Sequence, residues 1–92
     1  MPDRAIPLIG DLFKVYPNPT TGTFTLELAG LDQTKIARVE IFSMAGYKLL
    51  VAELNGGGSH VLSLSGKPAG IYLIKVVSDK KSGAANIVVV HN

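Results

Sequence analysis

Two prolines one residue apart, in Val15-Tyr16-Pro17-Asn18-Pro19-Thr20-Thr21-Gly22, stand directly before the alternating run Thr23-Phe24-Thr25-Leu26-Glu27-Leu28. Each proline fixes its own φ and removes a backbone donor, and each biases the residue before it, Tyr16 and Asn18, toward extended geometry. Such a segment cannot enter a helix or lie in the middle of a β-ladder. It reads as a stiff, extended lead-in to the first long strand, with the Tyr16 ring on the core and its hydroxyl at the rim. Gly22 is expected to supply the φ that ends the corner.

The rest of the chain follows the same two-residue period. Arg38-Val39-Glu40-Ile41-Phe42 alternates, with Val39 and Ile41 inward. Ser43-Met44-Ala45-Gly46 separates it from Tyr47-Lys48-Leu49-Leu50-Val51 in a short hairpin, Gly46 taking the position that needs positive φ. Asn55-Gly56-Gly57-Gly58-Ser59 reads as the most flexible loop, and Val61-Leu62-Ser63-Leu64 as a short strand. Ser65 to Gly70, with Pro68, is a second tight corner. Ile71-Tyr72-Leu73-Ile74-Lys75-Val76-Val77 is nearly all apolar, as a central strand covered on both faces would be. Asp79 to Gly83 turns the chain, and residues 85–90 form the last strand.

With the short segment at 13–16 this makes seven strands and no helical period. The expected fold is all-β: an immunoglobulin-like antiparallel sandwich without the Cys-Trp-Cys signature. Its core is expected to hold Phe24, Leu26, Val39, Ile41, Leu64, Tyr72, Ile74 and Val76. Residues 1–12 read as a linker or N-terminal arm, and 13–92 as the domain. Ninety-two residues suffice for one domain that buries roughly 60–65% of its unfolded surface.

Composition narrows the function. Hydrophobic residues are 47% and charged residues 17%, a globular balance. The formal charge is only +2, and the nine Lys and Arg are scattered without interleaved aromatics, which argues against nucleic acid as a partner. The absence of cysteine excludes disulfides and thiolate chemistry. No apolar run has membrane-spanning length, so no direct membrane insertion is expected. The first residues carry no signal-peptide pattern, so an exported molecule would contain this chain as a piece of something longer.

Candidate chemistry is thin. His60 and His91 lack further ligands at metal-binding spacing. Glu27 and Glu40 occupy outward positions of alternating strands, where a solvated carboxylate is the ordinary occupant. The serines lack a strand-turn-helix elbow. The triple glycine, and Gly66-Lys67 before Pro68, fail the requirement of a phosphate loop for a following helix. The residues point to a non-catalytic domain without cofactor or metal.

In order, four segments resemble a known family: Val15-Tyr16-Pro17-Asn18-Pro19 with Gly22 and its strand; Val39 to Gly46; Leu64-Ser65 running into Pro68-Ala69-Gly70-Ile71-Tyr72-Leu73-Ile74-Lys75-Val76; and the apolar strand Ile87-Val88-Val89-Val90. This set resembles the type A C-terminal sorting domain of the type IX (Por) secretion system of Bacteroidota. The resemblance implies a signal that directs a cargo domain of the same polypeptide across the outer membrane, after transit through the periplasm. The implied partners are the translocon, its outer-membrane shuttle and a sortase-like peptidase that joins the cargo to the cell surface. The recognition residues it implies are Tyr16, Pro17, Asn18, Pro19, Gly22, Gly46, Pro68, Gly70, Tyr72, Ile87, Val88, Val89 and Val90. Family members tend to carry Lys or Arg around the final strand, where this chain has Asn86, His91 and Asn92. The competing reading is a carbohydrate-binding or adhesive module of an extracellular enzyme. The free edge of the last strand is a place where a partner could pair, although core packing alone accounts for its composition.

Overall fold

Alternation of apolar and polar residues is what builds the core in the computed structural model, which describes residues 13–28, 31–78 and 81–91. The strands are β1 (Lys14–Tyr16), β2 (Thr23–Glu27), β3 (Ile36–Ser43), β4 (Lys48–Asn55), β5 (Ser59–Ser63), β6 (Gly70–Ser78) and β7 (Lys81–Val89). They form a three-stranded sheet in the order β1-β2-β5 and a four-stranded sheet in the order β4-β3-β6-β7, antiparallel throughout. Two sheets, each apolar on one face, close on each other in an immunoglobulin-like sandwich.

All eight expected core residues are buried, at 5% exposure or less. Each of the fully enclosed aliphatic side chains contributes about 1.5–3 kcal/mol relative to exposure. Phe13, Leu28, Leu31, Ala37, Ile87 and Val89 complete the cluster. Leu31 lies where the sequence reads as a loop, yet it is buried and its N–H bonds the Leu28 carbonyl at 3.0 Å. Two buried hydroxyls are satisfied. Ser78 donates to the Ile36 carbonyl at 2.9 Å, and Thr20 donates to the Thr23 carbonyl at 2.6 Å.

Several elements differ from the sequence reading. The β3–β4 hairpin is not short, since each strand has eight residues, and a bulge after Ile41 moves the register from Ile41 opposite Leu50 to Phe42 opposite Lys48. The last turn is tighter than expected. Ser78 already pairs with Lys81, so Ser82 and Gly83 belong to β7, and Gly83 fits because its side of the strand faces the core. The triple glycine is packed. The Gly56 N–H bonds Lys35, the Gly57 N–H bonds Leu28, and the Gly58 carbonyl accepts from the Leu28 N–H. A Cβ on Gly56 would stand 2.5 Å from the Asp32 carbonyl oxygen, so glycine is required there for close backbone approach.

The apolar run 71–77 is central in its sheet but covered on one face only. Tyr72, Ile74 and Val76 point inward, while Ile71 and Leu73 are exposed on the outer face. The expected linker at 1–12 lies outside the described residues.

Candidate functional site

The proline corner does not run straight into β2. Residues 17–19 bend, and both the Tyr16–Pro17 and Asn18–Pro19 peptide bonds are cis. Thr20 anchors the bend from inside: its hydroxyl, besides donating to Thr23, accepts from the Gly22 N–H at 3.1 Å. Gly22 has φ +140°, and its carbonyl accepts from the Leu64 N–H at 2.7 Å. A Cβ at Gly22 would meet the Ser65 hydroxyl at 2.9 Å, a tip that can turn aside, and the Ser65 Cα at 3.4 Å, so it is the positive φ that favours glycine where the two corners touch.

Tyr16 departs from expectation. Its ring is 45% exposed and off the core. Val15 takes the inward position of the three-residue β1, so by the two-residue period its neighbour faces out. The Tyr16 hydroxyl donates to Glu27 Oε1 at 3.2 Å on the adjacent strand.

The corner instead serves the last strand. The Asn18 side-chain amide donates to the Asn86 carbonyl at 3.1 Å, while its oxygen accepts from the Val88 N–H at 2.9 Å. Thr20 continues the pattern with its backbone, its N–H bonding the Val88 carbonyl and its carbonyl accepting from the Val90 N–H, both at 2.8 Å. An amide side chain carries the same donor and acceptor as a peptide group, so Asn18 stands in for one residue of a paired strand. The outer edge of β7 from Asn86 to Val90 is thereby occupied. It is not the free edge that its composition suggests.

On its other side β7 pairs with β6: Gly70 opposite Val89, Ile71 opposite Val88, Tyr72 opposite Ile87. The Tyr72 ring is buried and its hydroxyl donates to the Pro68 carbonyl, tying the second corner to the strand it precedes. Tyr72 is also opposite Ser43, the last residue of β3, where the turn with Gly46 at φ +92° begins. Gly70 has φ +153°. The four motif segments, scattered from residue 15 to residue 90, therefore converge on one end of the sandwich. Ile87 and Val89 face the core, Val88 lies on the outer face, and Val90 is 37% exposed.

The remaining candidates are dispersed. The His60 ring bonds the Asn55 carbonyl at 2.8 Å. Glu27 lies in the three-stranded sheet and Glu40 in the other. Glu40 is held by Arg38 at 3.1 Å and Lys48 at 3.0 Å, and these hydrogen bonds, Lys48 first, keep its carboxyl below the ordinary range. Lys48 also lies 5.8 Å from the centre of the Phe42 ring. Asp32 is lowered likewise, by the Thr34 backbone N–H and then its hydroxyl. Among the described residues no group of three His, Cys, Asp or Glu is placed to hold a metal.

Thr20 is the contributor that residue types did not single out. Its signal is local: a threonine two residues before a glycine, able to close a turn through its own hydroxyl.

Comparisons with known proteins bear on the family and the fold. The profile of the secretion system C-terminal sorting domain matches residues 14–90. An ulvan lyase of Nonlabens ulvanivorans is 31% identical over 65 residues, which are 71% of this chain and 12% of the lyase. The chain thus spans a small fraction of that relative's length. An immunoglobulin-like β-sandwich protein of the DUF3244 family from Bacteroides vulgatus superimposes with a TM-score of 0.63, over 82% of this chain and 83% of its own, at 16% identity, a likeness of fold. The match over almost the whole described chain, carried by a sandwich whose motif segments meet at one end, places this chain in the family of C-terminal sorting domains of the type IX (Por) secretion system.

Proposed function

We propose that the domain is a non-catalytic address for a cargo domain of the same polypeptide, carried through the periplasm and then past the outer membrane to the cell surface or medium. The finer partners in this reading are the type IX translocon, its outer-membrane shuttle and a sortase-like peptidase that removes the domain and attaches the cargo. The proposed recognition end is the one built from Tyr16 to Gly22, Gly46, Pro68 to Tyr72 and Ile87 to Val90. The observation that carries the reading is the family match over residues 14–90. An exported polysaccharide-degrading enzyme is a fitting cargo class, by analogy with the lyase relative.

The test is transfer. The 92-residue chain is fused behind a fluorescent protein bearing an export signal for the inner membrane, in a host with the type IX machinery. The reporter is expected outside the outer membrane, and a chain cut before Asn86 is expected to leave it in the periplasm. A folded, intact domain that leaves its reporter periplasmic would replace this reading with that of a carbohydrate-binding or adhesive module.

A further inference from the structure

A partner has two ways to read a sheet: strand addition along an edge, or docking on a face. At the motif end of β7 the first way is closed, because Asn18 and Thr20 already hold the outward groups of Asn86, Val88 and Val90. The second is open. Ile71 is 42% exposed and Leu73 37%, and the register places Ile71 opposite Val88 and Leu73 opposite Phe42. These four form a continuous apolar strip on a sheet face where polar residues are the rule. Beside it a shallow cleft of about 450 Å³ runs between Phe42, Met44, Leu73, Lys75 and Asn86. Glu40, the residue opposite Lys75 on β3, is already engaged by Arg38 and Lys48, whereas Lys75 makes no ion pair among the described residues.

We infer that the domain is recognised through the outer face of β6 and β7, on Ile71, Leu73, Val88 and Phe42, by an apolar protein surface of the export machinery that presents a carboxylate to Lys75. The inference rests on the sorting function proposed above and selects which surface of the domain performs it. The apolar strip supplies contact area, and Lys75, without an ion pair among the described residues, sets the charge of the complement. Gly70-Ile71-Tyr72-Leu73 then divides its work by parity: Tyr72 holds the fold, while Ile71 and Leu73 meet the partner.

The export assay separates the modes. Leu73→Glu and Lys75→Glu change exposed side chains and are expected to lower surface reporter at least tenfold while circular dichroism and melting temperature stay parental; Lys75→Arg is expected to keep export. Parental export by both Leu73→Glu and Lys75→Glu overturns the face reading while leaving the sorting function intact, whereas failure of the unmodified domain to export is failure of that function itself. Binding of the purified chain to phosphatidylglycerol vesicles, or self-association in sedimentation, abolished in either case by Leu73→Glu, would give the face to lipid or to a second copy and overturn the assignment.

Discussion

The Asn18 side chain accepts a hydrogen bond of 2.9 Å from the Val88 N–H, seventy residues further along the chain. With the bond from the same amide to the Asn86 carbonyl, it replaces a stretch of strand by one side chain. Asn18→Ala removes both bonds at an exposed edge, and a loss of about 1 kcal/mol is expected from the usual net value of a hydrogen bond. Amide hydrogen exchange resolves the effect locally. The Val88 amide is expected to exchange several-fold faster, with β3 amides such as Ile41 changed only as far as global stability falls. Unaltered protection at Val88 would show that the side chain holds nothing.

Gly56→Ala probes the packed glycine turn. The added methyl would meet backbone, the Asp32 carbonyl, which cannot swing aside as a side-chain tip can. A loss of about 1–3 kcal/mol is expected, as for other overpacked sites. Gly58→Ala, whose Cβ would have only the His60 ring nitrogen near it at 3.9 Å, is the control and is expected to cost much less. Equal urea midpoints for the two variants would mean that the turn is as loose as its composition suggests.

Tyr72→Phe keeps the buried ring and deletes its bond to the Pro68 carbonyl. Chemical denaturation is expected to show a loss of about 1 kcal/mol. Ile74→Ala, at a site with 0% exposure, is expected to cost about 2–5 kcal/mol, enough to threaten the fold of a domain this small.

Glu40 gives the pH dependence. Its folded-state pKa is depressed below the ordinary glutamate range by the Lys48 and then the Arg38 hydrogen bond, so its contribution to stability is present above the unfolded-state pKa and is lost as pH falls through the folded-state pKa. Glu40→Gln is therefore expected to lower the melting temperature slightly at neutral pH, with the difference from the parent closing in acid. High salt should narrow the neutral-pH difference as well, because the cluster lies at the surface. A gap that widened on acidification would exclude the Arg38 and Lys48 interactions as its cause.

Much of this molecule is legible in its residues because period-two alternation is a strong local signal. Val39 and Ile41 face the core as their neighbours Arg38 and Glu40 require, and Gly46 turns the chain where a positive φ is needed. The proposed recognition end is legible in part. Residue types mark the proline corner, but nothing local tells Asn18 that its partners are Asn86 and Val88, or that Tyr16 faces water because Val15 takes the inward position. The glycine turn misleads for a related reason: three glycines describe both a loose loop and a backbone pressed against Asp32 and Gln33. The apolar run of β6 suggests cover on two sides, whereas its own sheet and the facing sheet supply only one.

The same corner has a consequence for the order of events during synthesis. Asn18 and Thr20 emerge from the ribosome long before Asn86 to Val90, and until those residues exist the corner has nothing to bond. Closure by partners so distant in sequence is slow compared with local pairing. Pulse-labelled refolding should find the Val88 amide protected no earlier than those of β3. A chain that stops before Asn86 leaves this end unsealed, so the joint between corner and last strand forms only once both segments are present.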